Sequence, residues 1–183
     1  MSNAAVGSIA PTIAQTPIFG YPLSTEKITE EQPLVLLFLR YSGSSSTRAI
    51  LTALHQIWPT LDYNDVSVVA VVEGDLDALQ DLVPRYQVKF PVVHGDDEMF
   101  NQFGVGYVDG LMGAMKSLGA GGIRGVIAKT FTTGRGFVNG NMGRLPAVIV
   151  VGKGGQVVWR WDAQGVADEP DAQSIADAAL NAK

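Results

Sequence analysis

The run Leu34-Val35-Leu36-Leu37-Phe38-Leu39-Arg40-Tyr41, followed at once by Ser42-Gly43-Ser44-Ser45-Ser46-Thr47-Arg48, changes character within a few residues. Its first part is almost continuously apolar and bounded by Pro33 and Gly43, the pattern of a strand buried on both faces and therefore central in a sheet. Its second part supplies hydroxyls for a helix start. Beyond it Ile50, Leu54, Ile57, Trp58 and Leu61 recur at three- and four-residue steps, which predicts an amphipathic helix with Pro59 marking its end.

Outward from this unit the pattern repeats. Residues 66–72 are a second buried strand, and Asp75 opens a second helix with Leu76, Leu79, Leu82, Val83 and Tyr86 on one face. A β-α-β-α order demands parallel strands with a right-handed crossover. Phe90-Pro91-Val92-Val93-His94 is a short third strand, followed by a short helix around residues 98–103. Leu145-Pro-Ala-Val-Ile-Val-Val151, the turn Lys153-Gly-Gly-Gln156, and Val157-Val-Trp-Arg-Trp161 read as an antiparallel hairpin, because the connection is too short for a crossover. An amphipathic helix over residues 172–182 closes the chain. The expected class is α/β, a three-layer arrangement with a central mixed sheet of about five strands and helices on both faces. The order of elements is thioredoxin-like.

The chain divides into an N-terminal arm, residues 1–24, and one domain, residues 25–183, carrying a glycine-rich insertion over residues 104–143. Within the insertion Leu111, Met115 and Leu118, then Ile123, Val126, Ile127 and Phe131, predict two short helices. The arm carries Ile9, Ile13, Ile18, Phe19 and Tyr21, more apolar than a plain linker and suited to packing on a partner.

A length of 183 residues provides one full core, and a composition 46% hydrophobic and 17% charged is that of a globular domain. A net charge of −5 without a Lys or Arg run argues against nucleic acid or an anionic membrane surface as the partner. The longest apolar run is too short to span a bilayer, and the first 20 residues lack the basic and apolar regions of a signal peptide, so a cytoplasmic location is expected. There is no cysteine, which excludes a disulfide framework, a thiolate metal site and a cysteine nucleophile.

Phe38-Leu-Arg-Tyr-Ser-Gly-Ser-Ser-Ser-Thr-Arg48 resembles the strand-loop-helix signature of the peroxiredoxin-like AhpC/TSA antioxidant family, to which prostamide/prostaglandin F synthase belongs. That signature reads Phe-Leu-Arg, two variable residues, then Gly-Cys-x-x-Cys-Arg. Three further segments look similar: Phe90-Pro-Val-Val with its Asp-rich turn, Leu145-Pro-Ala-Val-Ile-Val-Val, and Ala167-Asp-Glu-Pro-Asp171. The resemblance spans roughly residues 33–180 and implies a thioredoxin fold and thiol-dependent peroxide reduction. The two cysteine positions, however, fall on Ser44 and Thr47, and the acidic residue that often follows the second Cys-Arg is Ala49. Serine stays protonated where a helix N-terminus would stabilise a thiolate, so thiol peroxidase chemistry is excluded for this chain.

Other chemistry at this loop needs other groups. A hydrolytic Ser44 needs a base; His55 lies three helical turns along the same helix, about 16 Å away, and His94 ends a strand one or two spacings, about 5–10 Å, to the side. Ser44 and Ser45 with Arg40 or Arg48 would suit an external thiol or anion, as in glutathione-transferase relatives of the fold. The blander alternative is that Ser44 to Thr47 cap a helix. Leu145-Pro146 stands where the fold carries a cis-proline corner that faces the active-site loop and pairs with extended peptides; a trans proline at a strand start is an equal reading.

His94-Gly95-Asp96-Asp97-Glu98 reads as a solvated turn whose Asp residues cap the next helix rather than as a metal site. The three Gly-rich segments within residues 104–140 lack the spacing of phosphate loops. Met112, Met115 and Met142 suit an adaptable contact surface. Trp159 and Trp161 share one face of a strand, an interface unless the last helix covers it.

Two functions are expected. The first is a redox-inactive, peroxiredoxin-like binding or structural subunit with a protein partner or a second copy, and with no cofactor and no metal. The alternative is a thiol oxidoreductase whose cysteine at position 44 has been exchanged for serine. The positions involved are Ser44, Thr47, Arg40 and Arg48, with Leu145 and Pro146 as the ligand corner.

Overall fold

The computed structural model describes residues 4–108, 143–166 and 168–182. A small antiparallel pair, β1 (Ala14–Gln15) and β2 (Leu23–Ser24), leads into α1 (Thr25–Glu31). The main elements follow as β3 (Leu34–Leu39), α2 (Ser45–Tyr63), β4 (Ser67–Val72), α3 (Leu76–Arg85), β5 (Val92–His94) and α4 (Asp97–Gln102). After the insertion come β6 (Ala147–Val151), β7 (Val157–Asp162) and α5 (Ala172–Leu180). The two helices expected from Leu111 to Phe131, and the methionines near them, lie outside the described residues.

The main sheet has the order β5-β4-β3-β6-β7, with β3 at its centre. β3 is parallel to β4 and β4 to β5, while β6 runs antiparallel to both β3 and β7. All six side chains of β3 are buried, as the unbroken apolar run required. They divide by the strand period of two: Val35, Leu37 and Leu39 face a core shared with α2, α3 and α5, and Leu34, Leu36 and Phe38 face a second core with α4 and Ile13 of the arm. The register slips between Val150 and Val151, which pair with Trp159 and Val157. Val158 is the extra residue of that bulge and stands 40% exposed.

Pro59 does not end α2, which continues to Tyr63. The missing N–H falls on a solvent-facing turn where His55, Pro59 and Thr60 are exposed, while the next turn buries Leu61 completely. The helix stops instead at a left-handed residue. Asp65 has φ of 55°, Val66 N–H donates to Leu61 O at 3.0 Å and Asp65 N–H to Asp62 O at 3.2 Å, a Schellman closure. α3 ends the same way at Gln87, with φ of 50° and Val88 N–H on Val83 O at 3.0 Å. Leu76, expected on the buried face of α3, is 56% exposed because it sits at the first helical position, beyond the edge of the core.

Residues 4–24 lie on the chain's own sheet. Gly7 N–H donates to Val157 O and Val157 N–H to Ser8 O, both at 2.8 Å, on the β7 edge, and Ile18 N–H reaches Val92 O at 2.7 Å on the β5 edge. Between them Ile13 is 2% exposed in the core beneath. Trp159 and Trp161 are half-buried against the core that also contains Ile175, Ala176 and Ala179 of α5.

Candidate functional site: a serine in the place of a thiol

The register brings the ends of several strands to one edge of the sheet. Leu39 pairs with Val72 and Val72 with His94, while Phe38 pairs with Ala147 and Ala147 with Asp162. Arg40, Glu73, Gly95, Arg144 to Pro146 and Ala163 to Val166 therefore gather there. In α/β sheets with parallel strands this carboxyl edge is where ligands bind. Three of the residues singled out by sequence meet directly at this edge.

Ser44 is the N-cap residue of α2 but makes no side-chain cap hydrogen bond. The hydroxyls were expected to satisfy the free N–H groups of the helix; instead they serve one another and Arg40. Arg40 Nη1 donates to Ser44 Oγ at 3.1 Å and to Val166 O at 3.1 Å, and the Ser44 and Ser46 hydroxyls lie 2.9 Å apart. Thr47 Oγ1 donates back to Arg40 O at 2.9 Å, closing the loop on itself. The physical reason is burial: Arg40 is 6% exposed, and a buried guanidinium demands acceptors more strongly than a helix N–H does. Burial lowers the pKa of Arg40, while Tyr41 and Glu73 act in the opposite direction. Arg48 is likewise buried in the first turn of α2, and its N–H makes the first helical bond to Ser44 O at 3.2 Å.

Ser44 itself is 2% exposed, and Ser46 and Thr47 are fully buried. The atoms in the place of the two sulfurs are thus enclosed and hydrogen-bonded. His94 is no base for Ser44, because β5 lies two strands from β3, about 10 Å to the side. His55 is exposed on α2, farther along the helix. Asp96 accepts from Met99 N at 2.9 Å and so caps α4, as the sequence led one to expect. No group of three or more His, Asp or Glu side chains suited to a metal occurs among the described residues.

No described peptide bond is cis, so Leu145-Pro146 is trans. Extending the β3–β6 register past Ala147 sets Leu145 beside Arg40, roughly one strand spacing of 5 Å away. The backbone at this corner is already engaged within the chain. Leu145 N–H donates to Gly106 O at 3.1 Å, Val108 N–H to Gly143 O at 2.8 Å, and Tyr107 bridges Arg144. On its outer side a groove of about 520 Å³ runs past Gly104 to Gly106, Pro146, Arg160 and Ala163.

Sequence reasoning missed Glu73, Arg144 and Val166. Arg144 is 2% exposed, with Nε 3.6 Å from Glu73 Oε2, a hydrogen bond from Nη2 to Asp97, and its guanidinium 4.6 Å from the Phe100 ring centre. Glu73 carried a usable signal, since a carboxylate directly after a buried strand needs a cation. Arg144 carried none: an arginine before a strand is ordinarily a surface residue.

Comparison with known proteins accords with this geometry. The fold matches peroxidoxin BcpB from Mycobacterium tuberculosis at TM-score 0.66 and 13% identity, over 98% of this chain and 97% of that one. A thioredoxin-family thiol:disulfide interchange protein from Chlorobium tepidum TLS matches at 0.62 and 13%, over 97% of each chain. A yeast mitochondrial 1-Cys peroxiredoxin matches at 0.59 and 14%, over 94% of this chain and 73% of that one. Identities this low speak for the fold alone. No curated protein sequence matches the chain. The sequence profile of the AhpC/TSA family matches residues 6–160, the arm included, and on that extent the chain belongs to the AhpC/TSA family, without its cysteines.

Proposed function

We propose that this protein is a redox-inactive member of its family that acts as a binding or structural subunit, in association with a protein partner or a second copy. The observation that carries this reading is the state of Ser44: the oxygen in the place of the attacking sulfur is enclosed and held by Arg40 and Ser46. Among the described residues neither partner of this serine is a base, and its burial leaves it no free surface from which to attack a substrate. The reading places the protein in the cytoplasm and requires no cofactor; no described helix is long and apolar enough to cross a membrane.

The test has two arms. Hydrogen peroxide and an alkyl hydroperoxide are incubated with the protein and a thioredoxin or glutathione reducing system, and sedimentation equilibrium measures its mass alone and with candidate partners. No turnover, together with a defined oligomer or a stoichiometric complex, is expected. Turnover by the cysteine-free chain, or a strict monomer that binds none of the partners, would count against the reading.

A second reading is favoured by one feature. Position 44 sits at the N-terminus of a 19-residue helix with a guanidinium at 3.1 Å, an environment that lowers a thiol pKa. If cysteine is native here and serine an exchange, Ser44→Cys restores peroxide consumption. Mass spectrometry of the protein from its source, over the peptide containing residue 44, decides between the two.

A further inference from the structure

The segment before α1 is hydrogen-bonded to both edges of the sheet. Across residues 4–24 the buried side chains are Ala4, Ile13 and Pro17, while Val6, Ile9, Phe19 and Tyr21 stand 61, 67, 57 and 90% exposed. Ala10, Ile18 and Leu23 are partly buried against the two cores, and backbone hydrogen bonds hold the rest. Gly7 and Ser8 pair with Val157, Ala10 N–H reaches Gly155 O at 2.9 Å, and Ile13 exchanges bonds with Thr25. Incompletely filled spaces flank it. Ala5 and Val6 wall the groove of about 520 Å³ beside Pro146, and residues 9–12 wall a second cavity of about 250 Å³ over Leu34, Leu36 and Val151. Three buried side chains among 21 residues, against six of six in β3, mark a unit that opens below the cost of global unfolding.

Arg160 is placed as its fastener. Its side chain, 10% exposed, is held by Asp162 through two contacts of 2.6 Å, Nε to Oδ2 and Nη2 to Oδ1. From that fixed position Nη1 donates to Ala4 O at 3.0 Å and to Phe103 O at 2.7 Å, and Nη2 to Gly104 O at 3.1 Å. One guanidinium thereby joins the start of the segment, the carbonyl end of α4 and the edge strand β7. A cation at those helix carbonyls also complements the helix dipole.

We propose that residues 4–24 form a strap, latched by Arg160, which opens while the rest of the domain stays folded and so dismantles one wall of the groove beside Pro146. Opening removes Ala5 and Val6 from one wall of that groove and uncovers the sheet face under Ile13. The device operates whether or not position 44 carries chemistry.

The absence of cysteine makes the test clean, because an introduced thiol is the only one. Ile13→Cys places it under the strap, and Leu54→Cys, at a fully buried position beneath α2, reports global opening. Both are reacted with 5,5′-dithiobis(2-nitrobenzoic acid) under native conditions. The thiol at 13 is expected to react at least about tenfold faster than that at 54, and adding Arg160→Met to quicken the first by about tenfold more than the second, the loss of one charge-assisted hydrogen bond. Equal rates at the two positions, or equal acceleration by Arg160→Met, overturn the proposal. Should Ile13→Cys fail to fold, hydrogen exchange on the unaltered chain answers the same question. The amides of Gly7, Ala10 and Ile18 are then expected to exchange before those of β3 and β4, and exchange at the common global rate overturns the strap.

Discussion

Replacing Ser44 by alanine asks whether the oxygen at this position belongs to the fold. The substitution deletes an acceptor of the buried Arg40 Nη1 and the partner of Ser46 Oγ. A hydrogen bond to a charged group contributes about 1.5–3 kcal/mol, and because Nη1 keeps Val166 O the lower end applies; the hydroxyl pair adds at most about 1 kcal/mol. The expected loss is about 2–3 kcal/mol. With a urea m-value of about 2 kcal/mol/M the unfolding midpoint falls by about 1 M, read by the fluorescence of the three tryptophans. In a double-mutant cycle with Arg40→Met the coupling is expected to exceed about 1 kcal/mol, since the two side chains are in direct contact. A midpoint within about 0.2 M of the parent, with no coupling, refutes the claim that Ser44 replaces the thiol structurally. A clear gain in stability from Ser44→Cys refutes it equally and favours a displaced cysteine.

Gly95→Ala puts a Cβ 2.5 Å from Val71 Cγ1 and 2.6 Å from Phe100 Cε2, both in fully buried side chains, so overpacking is expected to cost about 1–3 kcal/mol in urea unfolding, partly recovered by Val71→Ala. Arg144→Lys keeps the charge but loses the fork that spans Glu73 and Asp97, and is expected to lower the thermal midpoint nearly as much as Arg144→Met; full rescue by lysine contradicts the bridging role. Asp171 caps α5, and the hydroxyl and N–H of Ser174 hold its carboxyl below the usual range. Its contribution is therefore complete above the unfolded pKa of about 4 and is lost as pH falls through the lower folded value, so the acid branch of the stability curve should flatten in Asp171→Asn. An unchanged acid branch shows that the cap does not set it.

The elements legible in the sequence were those whose signal is local. The apolar run of β3, the period of α2, the glycine turn between β6 and β7 and the Asp96 cap each involve residues within a few positions of one another, and all are present. The reading of Pro59 as a stop failed because a proline's cost depends on which side of the helix it faces, and burial of Leu61 carried the helix past it. The candidate site was legible as a location, through the resemblance at Arg40, Ser44 and Thr47, and illegible as an arrangement. Ser44 stands at the helix start as the pattern indicated, yet its hydroxyl answers to Arg40.

By itself the sequence determined the α/β class, the central strand, the antiparallel ending and the absence of any thiol to attack or resolve, because these follow from residue identity and short-range periodicity. Tertiary structure alone decided what the polar groups do. Arg40 is completed by a carbonyl 126 residues away, Arg144 by a carboxylate 47 residues away, and Arg160 by a carbonyl 156 residues away. A buried cation takes whatever acceptor the packed chain brings within reach, and no local pattern records which one that is.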